Sequence, residues 1–121
     1  MPTELASTVL YRPMGQAEYD LVEQTGFKAW PPRLPEQPIF YPVTNEAYAA
    51  EIAQRWNTTD AENGNVGYVS RFRVSNSFLD RYDIQTVGAR HHTEYWIPAD
   101  DLPQLNANIV GQIEITQKFS A

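Results

Sequence analysis

Five side chains with complementary chemistry lie in or beside separate predicted elements of the chain: Arg12, Tyr41, Thr44, Tyr48 and Glu94. A guanidinium can clamp pyrophosphate or ribose, and a tyrosine ring can stack on nicotinamide. A carboxylate can accept a ribose hydroxyl and stabilise an oxocarbenium ion as a glycosidic bond breaks. We therefore predict a pocket for NAD, formed by a cation, by hydroxyl and aromatic side chains and by an anion from different strands. NAD would bind there as a substrate.

In this hypothesis Glu94 is the catalytic residue and the other four residues bind the dinucleotide. Each residue also has an ordinary structural interpretation. Arg12 can pair with a surface acid, and Glu94 can be a solvated strand residue. Tyr41 and Tyr48 can be plain core residues. The two interpretations differ in whether Arg12, Tyr41 and Glu94 share one cleft.

Three segments carry a resemblance to a known family: Leu-Tyr-Arg-Pro at 10–13, Pro-Pro-Arg-Leu-Pro-Glu-Gln-Pro-Ile-Phe-Tyr-Pro-Val at 31–43, and Glu-Tyr-Trp-Ile-Pro at 94–98. With them, from about Val9 to Phe119, the chain resembles small bacterial proteins labelled "ADP-ribosylation/crystallin J1". More distantly it is similar to the ADP-ribosyltransferase fold, a split antiparallel sheet around an NAD cleft. The resemblance implies a protein of that fold.

The resemblance also implies roles by position. In ADP-ribosyltransferases an Arg or His on the first strand, a Ser/Thr or Tyr on the second and a Glu on a later strand form the site. These positions correspond to Arg12, to Tyr41 with Thr44 and Tyr48, and to Glu94. The implied function is transfer of ADP-ribose to an acceptor, or cleavage of NAD.

Two departures from that pattern bear on the acceptor. Phe40-Tyr41-Pro42 stands in place of the Ser-Thr-Ser triplet of the arginine-modifying members, and His92 stands where those members carry a second glutamate. The resemblance therefore implies an acceptor other than arginine, or simple hydrolysis of NAD. A non-catalytic binding or interaction module on the same fold, of immunity or regulatory type, is the alternative.

The only two histidines are adjacent, at His91 and His92, and the chain has no cysteine. Thiol catalysis and zinc–thiolate sites are thereby excluded. On a strand, His92 and Glu94 would share a face, but neighbouring histidines would project to opposite sides. A third ligand would have to come from elsewhere, so no metal site is predicted. The chain also lacks a glycine-rich phosphate loop, a Walker motif and a Gly-x-Ser-x-Gly elbow.

Composition narrows the class of protein. The 121 residues are 42% hydrophobic, which suits a single domain over 1–121. The net charge of −6 disfavours broad binding to nucleic acids or anionic membranes. Seven of the nine basic residues are arginines, which suit bidentate recognition of phosphate or carboxylate. The absence of cysteine, of a signal-peptide pattern and of a long apolar run predicts a cytoplasmic protein.

Periodicity predicts an α+β fold whose split, mostly antiparallel sheet has about six strands, with three short helices. The predicted strands are 7–12, 39–41, 68–74, 82–87, 93–97 and 112–119. The predicted helices are 16–25, a helix from 44 or 45 to about 56 whose apolar face includes Trp56, and one from 100 or 101 that includes Ile109. A helical turn is predicted at 76–81. In the last strand, Ile113, Ile115 and Phe119 are expected on one buried face.

The segment from Trp30 to Pro38 contains four prolines, so it is predicted to be a stiff extended loop. Two roles fit it. Stiffening lowers the entropy cost of presenting Trp30, Arg33 and Glu36 to a ligand or a protein partner. The same loop can instead be a rigid strap over the sheet edge or the core.

Overall fold

The strands and helices follow the order predicted from the sequence. The computed structural model describes residues 6–33, 36–61 and 64–120. Within these ranges the elements are β1 (Ser7–Met14), α1 (Gln16–Gln24), β2 (Ile39–Phe40), α2 (Glu46–Arg55), β3 (Val66–Ser75), α3 (Asn76–Leu79), β4 (Ile84–Thr86), β5 (Thr93–Tyr95), β6 (Ile97–Pro98), α4 (Leu102–Ala107) and β7 (Ile109–Ser120). The predicted strand 93–97 is divided into β5 and β6, and the predicted helical turn at 76–81 is observed as the single-turn helix α3. The predicted α+β class with mostly antiparallel pairing is confirmed.

The strands form one three-stranded sheet and two short ribbons. Antiparallel β3 lies between β1 and β7, while β2 pairs with β6 and β4 pairs with β5. Val43 joins the ribbons to the sheet, because it forms bridges with Tyr11 of β1 and with Glu94 of β5. The pair Phe40–Ile97 and the pair Val43–Glu94 belong to one continuous antiparallel register, since three residues separate the pairs on each segment. Residues 39–44 therefore run antiparallel to 93–98, with Tyr41 opposite Trp96.

The three-stranded sheet carries a hydrophobic core on each face. On one side, called the Trp30 face, the larger core includes Leu10, Trp30 and Phe72. On the other side, called the α2 face, Val43 and Val69 pack with two alanines of α2, Ala49 and Ala53. Side chains alternate along a strand. Tyr11 packs against the α2 face, so its neighbours Leu10 and Arg12 point to the Trp30 face.

The position of α2 over the sheet depends on a glycine in β3. A Cβ at Gly67 would lie 2.3 Å from the carbonyl oxygen of Ala53, closer than any side chain tolerates. The helix begins as predicted, with the Asn45 side chain accepting a hydrogen bond from the Tyr48 backbone N–H. This cap and this close approach fix where α2 places its polar side chains.

Two predicted helical positions are wrong. Ile109 opens β7 instead of ending the third helix, because α4 stops at Ala107 and the Asn108 side chain donates to the Gln104 carbonyl. Trp56 was expected on the buried face of α2, yet it is 70% exposed. The helix ends at Arg55, and the chain turns there into a 3-10 segment at Asn57–Thr59.

The predicted uninterrupted alternation of the last strand is also wrong. The register between β3 and β7 shifts after Val69, which pairs with Gln117, while Ser70 pairs with Ile115. The extra residue is a β-bulge, which reverses the alternation. Phe119 therefore packs on the α2 face, whereas Ile113 and Ile115 pack in the larger core. Among the described residues, no helix combines the length and apolar composition that a membrane crossing requires.

Candidate functional site

The carboxylate of Glu94 is buried beneath α2. Alternation along β5 turns this side chain to the α2 face, where the residue is only 8% exposed. Tyr48 donates its hydroxyl to Oε1 at 2.9 Å, and the Trp96 indole donates to Oε2 at 2.8 Å. Burial, together with the bond to Glu94, raises the pKa of Tyr48 to about 12. Tyr48 therefore remains a proton donor at neutral pH, and each oxygen of Glu94 has a partner.

Two further predicted residues lie beside this network. Tyr41 is 43% exposed and lies opposite Trp96, on the same side of the paired segments as Glu94. The hydroxyl of Thr44 forms a short hydrogen bond with the hydroxyl of Thr93 and so links the two segments. Of the five predicted site residues, the structure joins Tyr48 directly to Glu94 and places Tyr41 on the same side of the paired segments. The Thr44 side chain, bonded to that of Thr93, lies on the other side, because side chains alternate along β5.

Arg12 lies elsewhere. Its side chain points to the Trp30 face, where Nε and Nη2 donate to the two carboxylate oxygens of Glu18 at 2.5 and 2.8 Å. Its guanidinium also lies 4.5 Å from the centre of the Phe40 ring. Tyr11, the preceding residue, connects through Val43 to the Glu94 strand and packs on the opposite face. The structure therefore does not bring Arg12 and Glu94 into one cleft.

Arg12 instead lines a cleft of about 360 Å³ between β1, α1 and the proline-rich segment. Its described walls include Glu18, Arg33 and Asn57. In the sequence, Arg33 stands out only as a residue of the proline-rich loop, and Asn57 does not stand out. Asn57 is one polar residue in a polar stretch, so no sequence pattern identifies it. It reaches the cleft only because the chain turns after the end of α2.

The polar groups of this cleft, called the Arg12–Arg33 cleft, are incompletely paired. Burial, and then the nearby charge of Arg12, lower the pKa of Arg33. The Arg33 Nε and the Asn57 Oδ1 are buried, and neither has a hydrogen-bond partner among the described residues. Two guanidinium groups face a single carboxylate, that of Glu18, along the described walls. The cleft thus holds excess positive charge, an unused donor and an unused acceptor.

A second cleft of about 700 Å³ shares Leu21, Pro31, Pro32 and Arg33 with the first. Its other walls include the mostly apolar side chains of Trp30, Leu102 and Pro103. The two clefts lie side by side along Pro31 and Pro32, so one ligand can present a charged group to one cleft and a flat apolar group to the other.

The proline-rich loop does not present Trp30 to a partner. Trp30 is 2% exposed, and its ring packs 5.0 Å from Phe72 and 5.5 Å from Phe40. The Asn106 side chain bonds both the backbone N–H and the carbonyl of Trp30. Of the two roles predicted for the loop, residues 30–33 fit the strap over the core, and Trp30 is not displayed to a ligand or partner. Residues 34 and 35 of the loop lie outside the described residues.

The expectation that His91 and His92 project to opposite sides is wrong as well. They lie in a turn before β5 rather than on a strand, so strand alternation does not apply. Their Nε2 atoms lie 2.5 and 3.2 Å from the same carboxylate oxygen of Glu51, on α2. The carboxylate that meets the histidines therefore belongs to Glu51, on the helix packed above them, and not to Glu94, which bonds Tyr48 and Trp96.

A scan of protein-family models finds no match to this chain, and searches of curated proteins and of solved structures find no significant match either.

Proposed function

We propose that the protein binds a small phosphorylated ligand of nucleotide type, NAD among the candidates, in the Arg12–Arg33 cleft. The observation that carries the proposal is the buried Arg33 Nε, which lacks a partner among the described residues beside a second guanidinium. A buried donor without a partner costs on the order of 1–3 kcal/mol. An anionic oxygen would supply both the missing acceptor and the missing charge.

The pairing of Arg12 with Glu18 gives the two arginines different roles in the proposed binding. Glu18 occupies Nε and Nη2 of Arg12 and holds the guanidinium against Phe40. Arg12 is therefore a fixed positive wall, whereas Arg33 is the group that still needs an acceptor. A phosphate placed between the two guanidinium groups would be attracted by both positive charges and repelled by the one carboxylate of Glu18. The net attraction is therefore that of about one positive charge.

Two features favour a nucleotide over a simple inorganic anion. The unpaired Oδ1 of Asn57 can accept a hydrogen bond from a sugar hydroxyl. The adjacent cleft offers apolar surface to a flat base through the exposed side chains of Leu21, Pro32 and Pro103 in its walls. Ligand pockets commonly have volumes of about 300–1,000 Å³, so the Arg12–Arg33 cleft suits a sugar phosphate and the second cleft suits the rest of a nucleotide.

Catalytic cleavage of NAD with Glu94 as the catalytic residue is a separate hypothesis that rests on the family resemblance. The geometry gives it less support than it gives binding. Glu94 lies on the opposite face from Arg12, and Tyr48 and Trp96 already occupy its two oxygens. A nucleotide held by Arg33 would not place its ribose beside that carboxylate.

Isothermal titration of the tag-free protein with inorganic phosphate, pyrophosphate, AMP and NAD tests the proposal. We expect 1:1 binding of at least one nucleotide, more tightly than of phosphate alone. Arg33→Gln removes a charged hydrogen bond, so its affinity should fall by about tenfold or more. Arg90→Gln is the matched control, because Arg90 is exposed in the turn before β5 and far along the chain from the cleft.

Two results would contradict binding in this cleft. One is an unchanged nucleotide affinity in Arg33→Gln. The other is the absence of heat and of thermal stabilisation with every ligand at millimolar concentration, which would favour a non-catalytic interaction module instead.

A further inference from the structure

Three potential metal ligands converge on the α2 face, away from the Arg12–Arg33 cleft. The ligand atoms of Glu51, His91 and His92 all lie within 4.8 Å of one another. Both histidine Nε2 atoms contact Oε2 of Glu51. The side chains are 30%, 47% and 26% exposed, so the group is reachable from solvent without being loose on the surface.

Several contacts hold these side chains in place. The ring of His92 stacks on Tyr48, with 4.5 Å between ring centres and 21° between planes. The carbonyl of His91 accepts hydrogen bonds from the Asn45 side chain at 2.7 Å and from the Thr93 backbone N–H at 3.0 Å. The helix cap, the start of β5 and the body of α2 therefore fix the three ligands relative to one another.

We propose that Glu51, His91 and His92 bind one divalent transition-metal ion. Two imidazole nitrogens and one carboxylate oxygen form a ligand set that suits zinc and its neighbours in the first transition row rather than calcium or magnesium. Three protein ligands leave at least one coordination position open for water or another small ligand. The proposal does not depend on nucleotide binding, since the two sites use different residues on opposite faces.

Metal binding also has a local structural consequence. His92 Nδ1 accepts a hydrogen bond from the Ala89 backbone N–H at 3.1 Å, so without metal its proton is on Nε2, facing Glu51. A neutral histidine that coordinates through Nε2 carries its proton on Nδ1 instead. That proton would face the Ala89 N–H, so the contact must open. The turn is tight there, because a Cβ on Gly88 would lie 2.6 Å from His92 Nδ1.

Zinc binding to the tag-free protein, measured by isothermal titration, tests this site. We expect one zinc ion per chain and an affinity that falls at least about tenfold in Glu51→Gln and in His91→Asn. Glu23→Gln, which removes an exposed carboxylate from α1, should bind zinc as the wild type does. The backbone amide resonance of Ala89 should shift as zinc is added, whereas the amide of Val22 in α1 should not.

Circular dichroism shows whether each variant is folded. Absence of zinc binding by the wild type up to millimolar concentration would overturn the proposal. Unchanged affinity in both folded variants, Glu51→Gln and His91→Asn, would overturn it as well, because the ion would then be held elsewhere.

Discussion

The two faces of the sheet differ in whether their buried polar atoms have hydrogen-bond partners. Beneath α2, the carboxylate of Glu94 accepts one hydrogen bond on each oxygen, from Tyr48 and from Trp96. On the Trp30 face, Arg33 is half-buried, and its buried Nε is unpaired among the described residues, beside the charge of Arg12. A satisfied buried group stabilises the fold, whereas an unsatisfied one favours a ligand that can complete it. We therefore expect a structural role for Glu94 and a binding role for Arg33.

The largest effect is expected from Glu94→Gln. An amide presents one oxygen and one NH₂ group, so it cannot accept from both Tyr48 and Trp96 in their present positions. The free energy of unfolding should fall by about 1.5–3 kcal/mol, measured by urea denaturation. Tyr48→Phe removes only one neutral donor and should cost about 1 kcal/mol. Glu114→Gln is the control, since this carboxylate is largely exposed and paired with Arg71.

A catalytic role for Glu94 predicts a different outcome for the same variant. In that case Glu94→Gln would abolish release of nicotinamide from NAD and leave stability unchanged. Measuring both quantities on one purified preparation separates the two roles of Glu94 directly.

The smallest effect on stability is expected from Arg33→Gln without ligand. Removing a partly buried charge is favourable, and it offsets the loss of the guanidinium contact 5.7 Å from the Phe40 ring. The free energy of unfolding should stay within about 0.5 kcal/mol of the wild type, in the same urea experiment. A loss as large as that of Glu94→Gln would show that Arg33 is structural and would remove the contrast between the two faces.

Local patterns in the sequence were enough to predict the element order and the α+β class. The strand-forming composition of β1, the Asn45 cap of α2 and the prolines of the loop each act within a few residues. The sequence also predicted Tyr48 and Glu94 in one region, and the structure joins the start of α2 to β5 there through a hydrogen bond between the two side chains.

What the sequence did not predict depends on register and long-range packing. The face of the sheet that Arg12 occupies is set by the bridge from Tyr11 to Val43, which no local pattern encodes. The bulge in β7 reverses alternation without a glycine or proline to mark it. Burial of Trp30 depends on Asn106, 76 positions away in sequence. The Arg12–Arg33 cleft follows from these distant contacts, so the single pocket predicted from the sequence joined residues that lie on separate faces.

A nucleotide titration followed by side-chain ¹⁵N resonances tests the central claim most directly. Both faces carry a reporter, the Nε–H of Arg33 in the cleft and the indole N–H of Trp96 beside Glu94. As NAD is added, the Arg33 Nε and the Asn57 side-chain amide should shift to saturation while the Trp96 indole stays in place. A saturating shift of the Trp96 indole with an unchanged Arg33 Nε would contradict the account, because it would place the ligand at Glu94.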